Sequence, residues 1–143
     1  MTVNAHTHLE LGGFAHLLPP PEGSPFVAWI QTLIAARHTI ADDGLLPYQK
    51  AVEAGIAALR ETGATTVGDI SATGASVEPL LDSGLSGVVY LEVLGLEPTA
   101  ALQRLRETRA KIETYRQREN SMRLGLTIHA PYSCHPDLFR EGA

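Results

Sequence analysis

Four short β-prone runs alternate along the chain with regions of helical spacing. This order is typical of a parallel sheet, because two parallel neighbours need a crossover connection, which is usually a helix. Four units in 143 residues average about 36 residues each, and eight such units would make a complete (β/α)8 barrel of ordinary size. An open doubly wound sheet is the alternative, but the glycine fingerprint of a dinucleotide site is missing. We therefore predict an α/β fold whose parallel (β/α) units form about four of the eight of a TIM barrel.

Capping residues mark the ends of several predicted elements. Ser24 is a suitable N-cap and Pro25 a suitable first helical residue, and the apolar positions 26, 29, 30, 33 and 34 then predict an amphipathic helix. Gly63 lies where a left-handed C-cap belongs, and Pro98 opens the longest helix. The predicted strands cover residues 2–5, 64–70, 87–94 and 121–130, and the other predicted helices cover 46–61, 77–82 and 136–140.

The composition indicates one globular domain over residues 1–143, with 44% apolar and 19% charged residues. Eleven basic against 16 acidic residues give a net charge of −5, so nucleic acid and anionic membrane surfaces are not expected partners. The most apolar stretch, 26–36, is far shorter than the roughly 20 residues of a membrane-spanning helix, and no signal peptide is visible. The single cysteine, Cys134, cannot form an internal disulfide, and a cytoplasmic protein is predicted.

The first predicted strand runs directly into two histidines, His6 and His8. Alternate residues of a strand share a face, so both rings should point the same way, with Asn4 on their side and Thr7 on the other. The pair ends the first strand of a βα array, at the carboxyl-terminal mouth where barrel active sites lie. Two imidazoles there can bind one divalent metal ion. The alternative is a chance pair on a surface strand.

A second informative segment, Leu124 to Pro136, places another histidine at a strand end. Aliphatic residues alternate there with Gly125, Thr127 and His129, so His129 should lie at the same mouth as the first two histidines. Pro131 then prevents the strand from continuing. The alternative for His129 is a neutral core histidine that is hydrogen-bonded to the backbone.

Together these motifs resemble the amidohydrolase superfamily, in the branch of guanine and cytosine deaminases, methylthioadenosine deaminase and the s-triazine hydrolases. The Trp29 helix also fits that pattern, and the resemblance covers nearly the whole chain. The segments that carry it are Val3-Asn-Ala-His-Thr-His-Leu-Glu10, Gly63-Ala-Thr-Thr-Val-Gly-Asp69 and His129-Ala-Pro-Tyr-Ser-Cys134.

The resemblance implies that His6 and His8 are metal ligands and that His129 binds substrate near its reacting carbon. Glu10 is a second candidate for substrate binding, with a solvated loop carboxylate as the alternative. The family's third ligand histidine, its catalytic glutamate and histidine, its strand-eight aspartate and its small β-domain would lie outside this chain. We therefore expect residues 1–143 to be the N-terminal half of a barrel, without catalytic residues of its own and inactive by itself.

Lysine positions bear on the number of metal ions. Superfamily members with two metals bridge them by a carboxylated lysine at the end of strand four, whereas Lys50 and Lys111 both lie in predicted helices and His129 occupies that strand end. One divalent metal is therefore predicted, zinc in preference to iron.

Two further carboxylates lie near predicted strand ends. Asp69 ends the second strand, and Glu92 shares a face of the third strand with Tyr90 by alternation. Such groups can bind substrate or orient a ligand histidine. The alternative is an ion pair between strands.

The predicted activity is hydrolysis of a C–N bond in a small-molecule substrate, and deamination of a nitrogen heterocycle by a metal-activated water is the leading case. The His-x-Glu and Pro-Cys-x-x-Cys signature of the cytidine-deaminase fold does not occur. The alternatives are hydrolysis of an acyclic amide or ester, and a non-catalytic half-barrel that self-associates. Because half a barrel leaves two open strand edges, a homo-oligomer is expected.

Overall fold

A computed structural model describes residues 2–18, 25–39 and 44–142. Its centre is a sheet in the order β1-β2-β3-β4 in which all neighbours are parallel. At least one helix lies between each pair of successive strands, so four parallel strands alternate with helices as the sequence predicts. The strands are β1 (Thr2–Thr7), β2 (Ala64–Ser71), β3 (Ser86–Val93) and β4 (Met122–Ile128).

Five α-helices lie in the described part of the chain. A 3-10 helix, Leu9–Leu17, follows β1 directly, and a single 3-10 turn, Arg116–Arg118, follows the longest helix. The α-helices are α1 (Phe26–His38), α2 (Leu46–Glu61), α3 (Val77–Leu81), α4 (Pro98–Tyr115) and α5 (Pro136–Gly142).

The helices cover one face of the sheet. On β2 the buried residues Val67, Asp69 and Ser71 alternate with half-exposed ones. The main core joins apolar side chains of α2, α3 and α4 to alternate strand residues such as Val89 and Leu124. The other face, here called the open face, carries half-exposed or exposed residues of β2, β3 and β4. These are Thr66, Gly68, Ile70, Val88, Tyr90, Glu92, Gly125 and Thr127.

Most predicted boundaries agree with the structure. Helix α2 covers residues 46–61 as predicted, and the strands and the two shorter predicted helices differ by at most two residues at either end. Gly63 has φ of +74°, the left-handed conformation expected of a C-cap glycine. Pro25 takes the N-cap position of α1, one residue before its predicted place, and Ser24 lies outside the described residues.

The amphipathic face predicted for α1 is only partly buried. Leu33 is buried, but Phe26 is 70% exposed and Ile34 is 50% exposed. The Phe26 ring stacks on Trp29 at a centroid distance of 6.4 Å. Apolar spacing defines a helix face, whereas burial also requires a partner surface, and α1 packs mainly on the 3-10 helix Leu9–Leu17.

A bulge interrupts β1 between Asn4 and Thr7, in the segment that contains His6. Asn4 pairs with Val67 and Thr7 pairs with Asp69, so three residues of β1 span the distance of two residues of β2. The alternation on which the predicted side of Asn4 depended therefore does not continue through β1. The Asn4 side chain instead accepts a hydrogen bond from the backbone N–H of His6 at 3.4 Å.

Among the helices that the structure describes, none combines the length and the apolar character needed to cross a lipid bilayer.

Candidate metal and substrate site

His6 and His8 lie at the carboxyl end of β1 with neighbouring rings. Their ring centroids are 5.3 Å apart and their planes meet at 68°. His6 is exposed and His8 is half-buried. Thr7, between them, pairs with Asp69 of the helix-covered face. The predicted common orientation of the two histidines is confirmed by this ring distance, and imidazole nitrogens are of the type that divalent transition metals bind.

This pair accounts for only part of a metal centre. Catalytic zinc sites typically use three protein ligands and leave a position for water. Residues 2–18, 25–39 and 44–142 contain no group of three histidine, cysteine or carboxylate side chains placed to hold one ion. The two imidazoles therefore fit two positions of a metal site, and further ligands would have to come from elsewhere.

Asp69 lies beneath the histidine pair, on the helix-covered side of β2. One carboxylate oxygen accepts a hydrogen bond from the Leu9 backbone N–H at 2.8 Å. The other oxygen and the nearby Ser76 hydroxyl are both buried, and neither has a hydrogen-bond partner of normal geometry among the residues that the structure describes. Burial raises the pKa of the Asp69 carboxyl, and the Leu9 N–H opposes that rise. Asp69 thus holds the backbone immediately after His8 instead of facing the open side.

Glu10 is 1% exposed, and its carboxylate accepts hydrogen bonds from the segment that follows β2. The donors are the hydroxyls of Ser71 and Thr73, both at 2.8 Å, and the backbone N–H groups of Ala72 at 2.9 Å and Thr73 at 3.3 Å. Four donors compensate for the burial of the charge. The alternative of a solvated loop carboxylate is wrong, because the side chain is enclosed by protein.

Glu10 and Asp69 form reciprocal links between the ends of two adjacent strands. Asp69 of β2 binds the backbone after β1, and Glu10 after β1 binds the segment after β2. We call these two buried carboxylates and their hydrogen bonds the carboxylate clasp. All the contacts described for Glu10 are with protein groups, and they fix the chain beside His8. A contact between Glu10 and substrate remains a prediction.

His129 follows β4 directly and its side chain is exposed. Its backbone N–H donates to the Val93 carbonyl at 3.1 Å, and its Nδ1 lies 2.5 Å from the Ser133 hydroxyl. The Tyr132 ring stands perpendicular to it at 5.7 Å. The alternative of a core histidine is wrong, because the ring lies outside the apolar clusters.

The three histidines lie at the same end of the sheet, as predicted. His6 lies in β1, His8 follows β1 directly and His129 follows β4, and all strands run in the same direction. Because β1 and β4 are the outer strands, β2 and β3 separate His129 from the other two. The sheet therefore brings the histidines to one rim but does not gather them into one cluster.

Tyr90 and Glu92 occupy the open face between the histidines, which confirms that they share a side of β3. Tyr90 pairs with Gly125, and a Cβ atom at Gly125 would lie 2.9 Å from the Tyr90 ring. The missing side chain at position 125 therefore makes room for the tyrosine. Sequence reasoning did not select Tyr90, although an aromatic residue that alternates with buried neighbours was the available signal.

The lysines lie in helices as predicted. Lys50 belongs to α2 and Lys111 belongs to α4, where its ammonium group donates to the Thr73 carbonyl at 3.5 Å. The end of β4 carries His129 instead.

Known proteins resemble the chain over nearly its whole length. An aminodeoxyfutalosine deaminase from Deinococcus radiodurans is 33% identical over 141 residues, which make up 96% of this chain and 31% of that protein. The crystal structure of the Helicobacter pylori aminofutalosine deaminase in complex with methylthio-coformycin matches with a TM-score of 0.80 at 28% identity, over 98% of this chain and 32% of that chain. The chain is homologous to deaminases of the amidohydrolase superfamily.

The chain spans about a third of the length of the curated amidohydrolase relatives it matches. A further structure, the atrazine chlorohydrolase of Arthrobacter aurescens complexed with zinc, matches 98% of this chain and 36% of that chain with a TM-score of 0.79. At 18% identity this likeness concerns the fold. No protein-family model matches the chain. The architecture is that of part of an amidohydrolase TIM barrel.

Proposed function

We propose that this chain is part of a metal-dependent hydrolase that breaks a C–N bond, with deamination of a nitrogen heterocycle as its reaction. The observation that carries the proposal is the 33% identity to a deaminase over 96% of the chain. The His6 and His8 rings, side by side at the carboxyl end of β1, support it, since active sites of this fold lie at that end.

His6 and His8 would hold one divalent metal, for which we propose zinc. Bound there, the metal would supply a water activated for attack at neutral pH. The carboxylate clasp keeps the backbone beside His8 in place, because Asp69 binds the Leu9 N–H and Glu10 binds residues 71–73. In this proposal residues 1–143 form the N-terminal half of the barrel, and the remaining ligands come from its other half.

His129 would contact the substrate from the opposite side of the rim. Its ring is exposed and backed by Tyr132 and Ser133, so it can reach a molecule that lies over the open face. Tyr90 and Glu92 line that face between the two sides. A cytoplasmic location is proposed because the single cysteine, Cys134, is a buried free thiol.

The proposed reaction can be tested by ammonia release from a panel of aminated purines, pyrimidines and triazines, measured with the whole protein that contains this chain. We expect at least one member of the panel to be deaminated at a rate that depends on added zinc. Zinc-dependent hydrolysis of acyclic amides or esters, with no ammonia released from any heterocycle, would contradict the proposal and support the alternative substrate class.

Metal retention by residues 1–143 alone is expected to be poor. Two imidazoles supply fewer than the three protein ligands of a typical catalytic site. Elemental analysis after dialysis against a weak chelator should show clearly less than one zinc per chain, with the His6→Ala variant at background. Stoichiometric retention would mean that ligands other than these two histidines exist in the chain.

Self-association of residues 1–143 is the second expected property. The outer strands β1 and β4 each have one neighbour in the described sheet, and Val3 of β1 is 53% exposed. Unpaired strand edges attract other strands. Sedimentation at micromolar concentration should therefore show a dimer or larger species.

A charge on the edge strand should weaken this association. Val3→Lys should shift the distribution toward monomer, because charged side chains on an edge oppose pairing. Thr114→Lys on α4 is the matched control and should leave it unchanged. A wild-type monomer that unfolds cooperatively would contradict the open-edge interpretation.

A further inference from the structure

The segment after β4 holds a serine against the His129 ring. His129 Nδ1 lies 2.5 Å from the Ser133 hydroxyl oxygen. The same hydroxyl donates to the Ala130 carbonyl oxygen at 3.1 Å. Ser133 therefore lies between an imidazole nitrogen and a carbonyl that can only accept.

The direction of the single Ser133 hydroxyl proton sets the form of the histidine, because that proton can point either at the Ala130 carbonyl oxygen or at Nδ1 of His129. A serine hydroxyl has one proton to donate and lone pairs that accept, and a carbonyl oxygen has no proton at all. With that proton directed at Ala130, only lone pairs of the Ser133 oxygen face the imidazole. In that arrangement the 2.5 Å contact is made by a proton on Nδ1, whereas a hydroxyl proton directed at Nδ1 would leave the contact with the Ala130 carbonyl without a proton.

We propose that Ser133 is a positioning residue that holds neutral His129 in the tautomer with the proton on Nδ1. The second ring nitrogen, Nε2, is then left as a hydrogen-bond acceptor.

The serine is held by backbone hydrogen bonds, whereas the His129 side chain is exposed. The Ser133 backbone N–H donates to Ala130 at 3.0 Å, and the Ser133 carbonyl accepts from the Gly95 N–H at 3.0 Å. The next residue, Cys134, is 3% exposed and packs in a core cluster with Leu105 and Leu138. Because its anchors are backbone and core, the serine can orient the exposed imidazole without being displaced by it.

The tautomer of His129 determines which ligand groups can form a hydrogen bond with its Nε2, and this consequence rests on the proposed function. An acceptor at Nε2 binds a ligand group that presents an N–H or O–H. The amino group of an aminated heterocycle is such a donor. The opposite tautomer would present an N–H to that group, and two donors would face each other.

The test is nitrogen NMR of the histidine rings in uniformly 15N-labelled protein, at alkaline pH where imidazole is neutral. The His129 signals are identified by their loss in His129→Ala. In the wild type we expect the pattern of a protonated Nδ1 and an unprotonated Nε2. In Ser133→Ala the tautomer ratio should move toward Nε2–H by roughly two- to tenfold, the range expected for the loss of one net hydrogen bond.

Two further variants keep the experiment decisive. Ser133→Thr restores the hydroxyl and should restore the wild-type pattern. Ser121→Ala removes a hydroxyl at the other end of β4, which donates to Leu85, and should leave the His129 signals unchanged. A wild-type ring protonated on Nε2, or a ratio that does not respond to Ser133→Ala, would overturn the inference. Because the NMR readout needs neither metal nor substrate, the tautomer inference can be overturned while the deaminase proposal stands. The deaminase proposal can likewise be overturned while the tautomer inference stands.

Discussion

Replacing His6 or His8 by alanine is expected to remove most hydrolytic activity from the whole protein by loss of the metal. The two ring centroids are 5.3 Å apart at one strand end. When one imidazole is removed, the other cannot supply the missing metal ligand. Loss of a group that only supports a ligand lowers metal affinity about 10- to 100-fold, and loss of a ligand itself should exceed that range. Metal content and turnover, measured on the same samples, should fall together.

His129→Ala separates the roles of the two sides of the rim. Two strands lie between His129 and the histidine pair, so this variant should retain its metal and lose turnover only. His38→Ala, at the exposed end of α1, is the matched control and should change neither quantity. A metal-free protein after His129→Ala would make that residue a ligand, and full metal content after His6→Ala or His8→Ala would remove the pair from the metal site.

The sequence was sufficient to predict where these histidines lie, because that depends on local patterns. Helix α2 has an apolar face with regular spacing and Gly63 as its cap, and its predicted range 46–61 agrees with the structure. The strands are apolar runs bounded by turn residues. Once four parallel strands are recognised, the residues at their carboxyl ends must share one rim.

Features that depend on distant partners were not predictable in the same way. The donors to Glu10 are about sixty residues away in the chain, and no spacing near Glu10 records them. The 3-10 helix Leu9–Leu17 was not among the predicted elements. The predicted side of Asn4 was wrong because β1 contains one extra residue relative to β2. Such a bulge depends on how β1 pairs with β2, and the sequence of β1 alone does not encode it.

Glu10→Ala is expected to destabilise the fold by about 3 kcal/mol or more, because it leaves several buried donors without an acceptor. The Ser71 hydroxyl belongs to a residue with no exposed surface, and the N–H groups of Ala72 and Thr73 belong to half-buried ones. Water can reach these groups only in part. The 3-10 helix would also lose its attachment to the end of β2, which is the half of the carboxylate clasp that Glu10 provides.

Glu10→Gln provides the matched comparison, because the amide retains one acceptor oxygen for the N–H groups of Ala72 and Thr73. Its NH2 group can donate to the Ser71 and Thr73 hydroxyls, so this variant should lose clearly less stability than Glu10→Ala. Glu53→Ala, on the exposed side of α2, should change stability by less than about 0.5 kcal/mol. Denaturant unfolding of all four proteins at one fixed concentration measures these differences, since self-association would otherwise shift the midpoints. Equal unfolding midpoints for Glu10→Ala and Glu53→Ala would mean that Glu10 contributes nothing to holding the ends of β1 and β2 together. The alternative of a solvated Glu10 carboxylate would then have to be reconsidered.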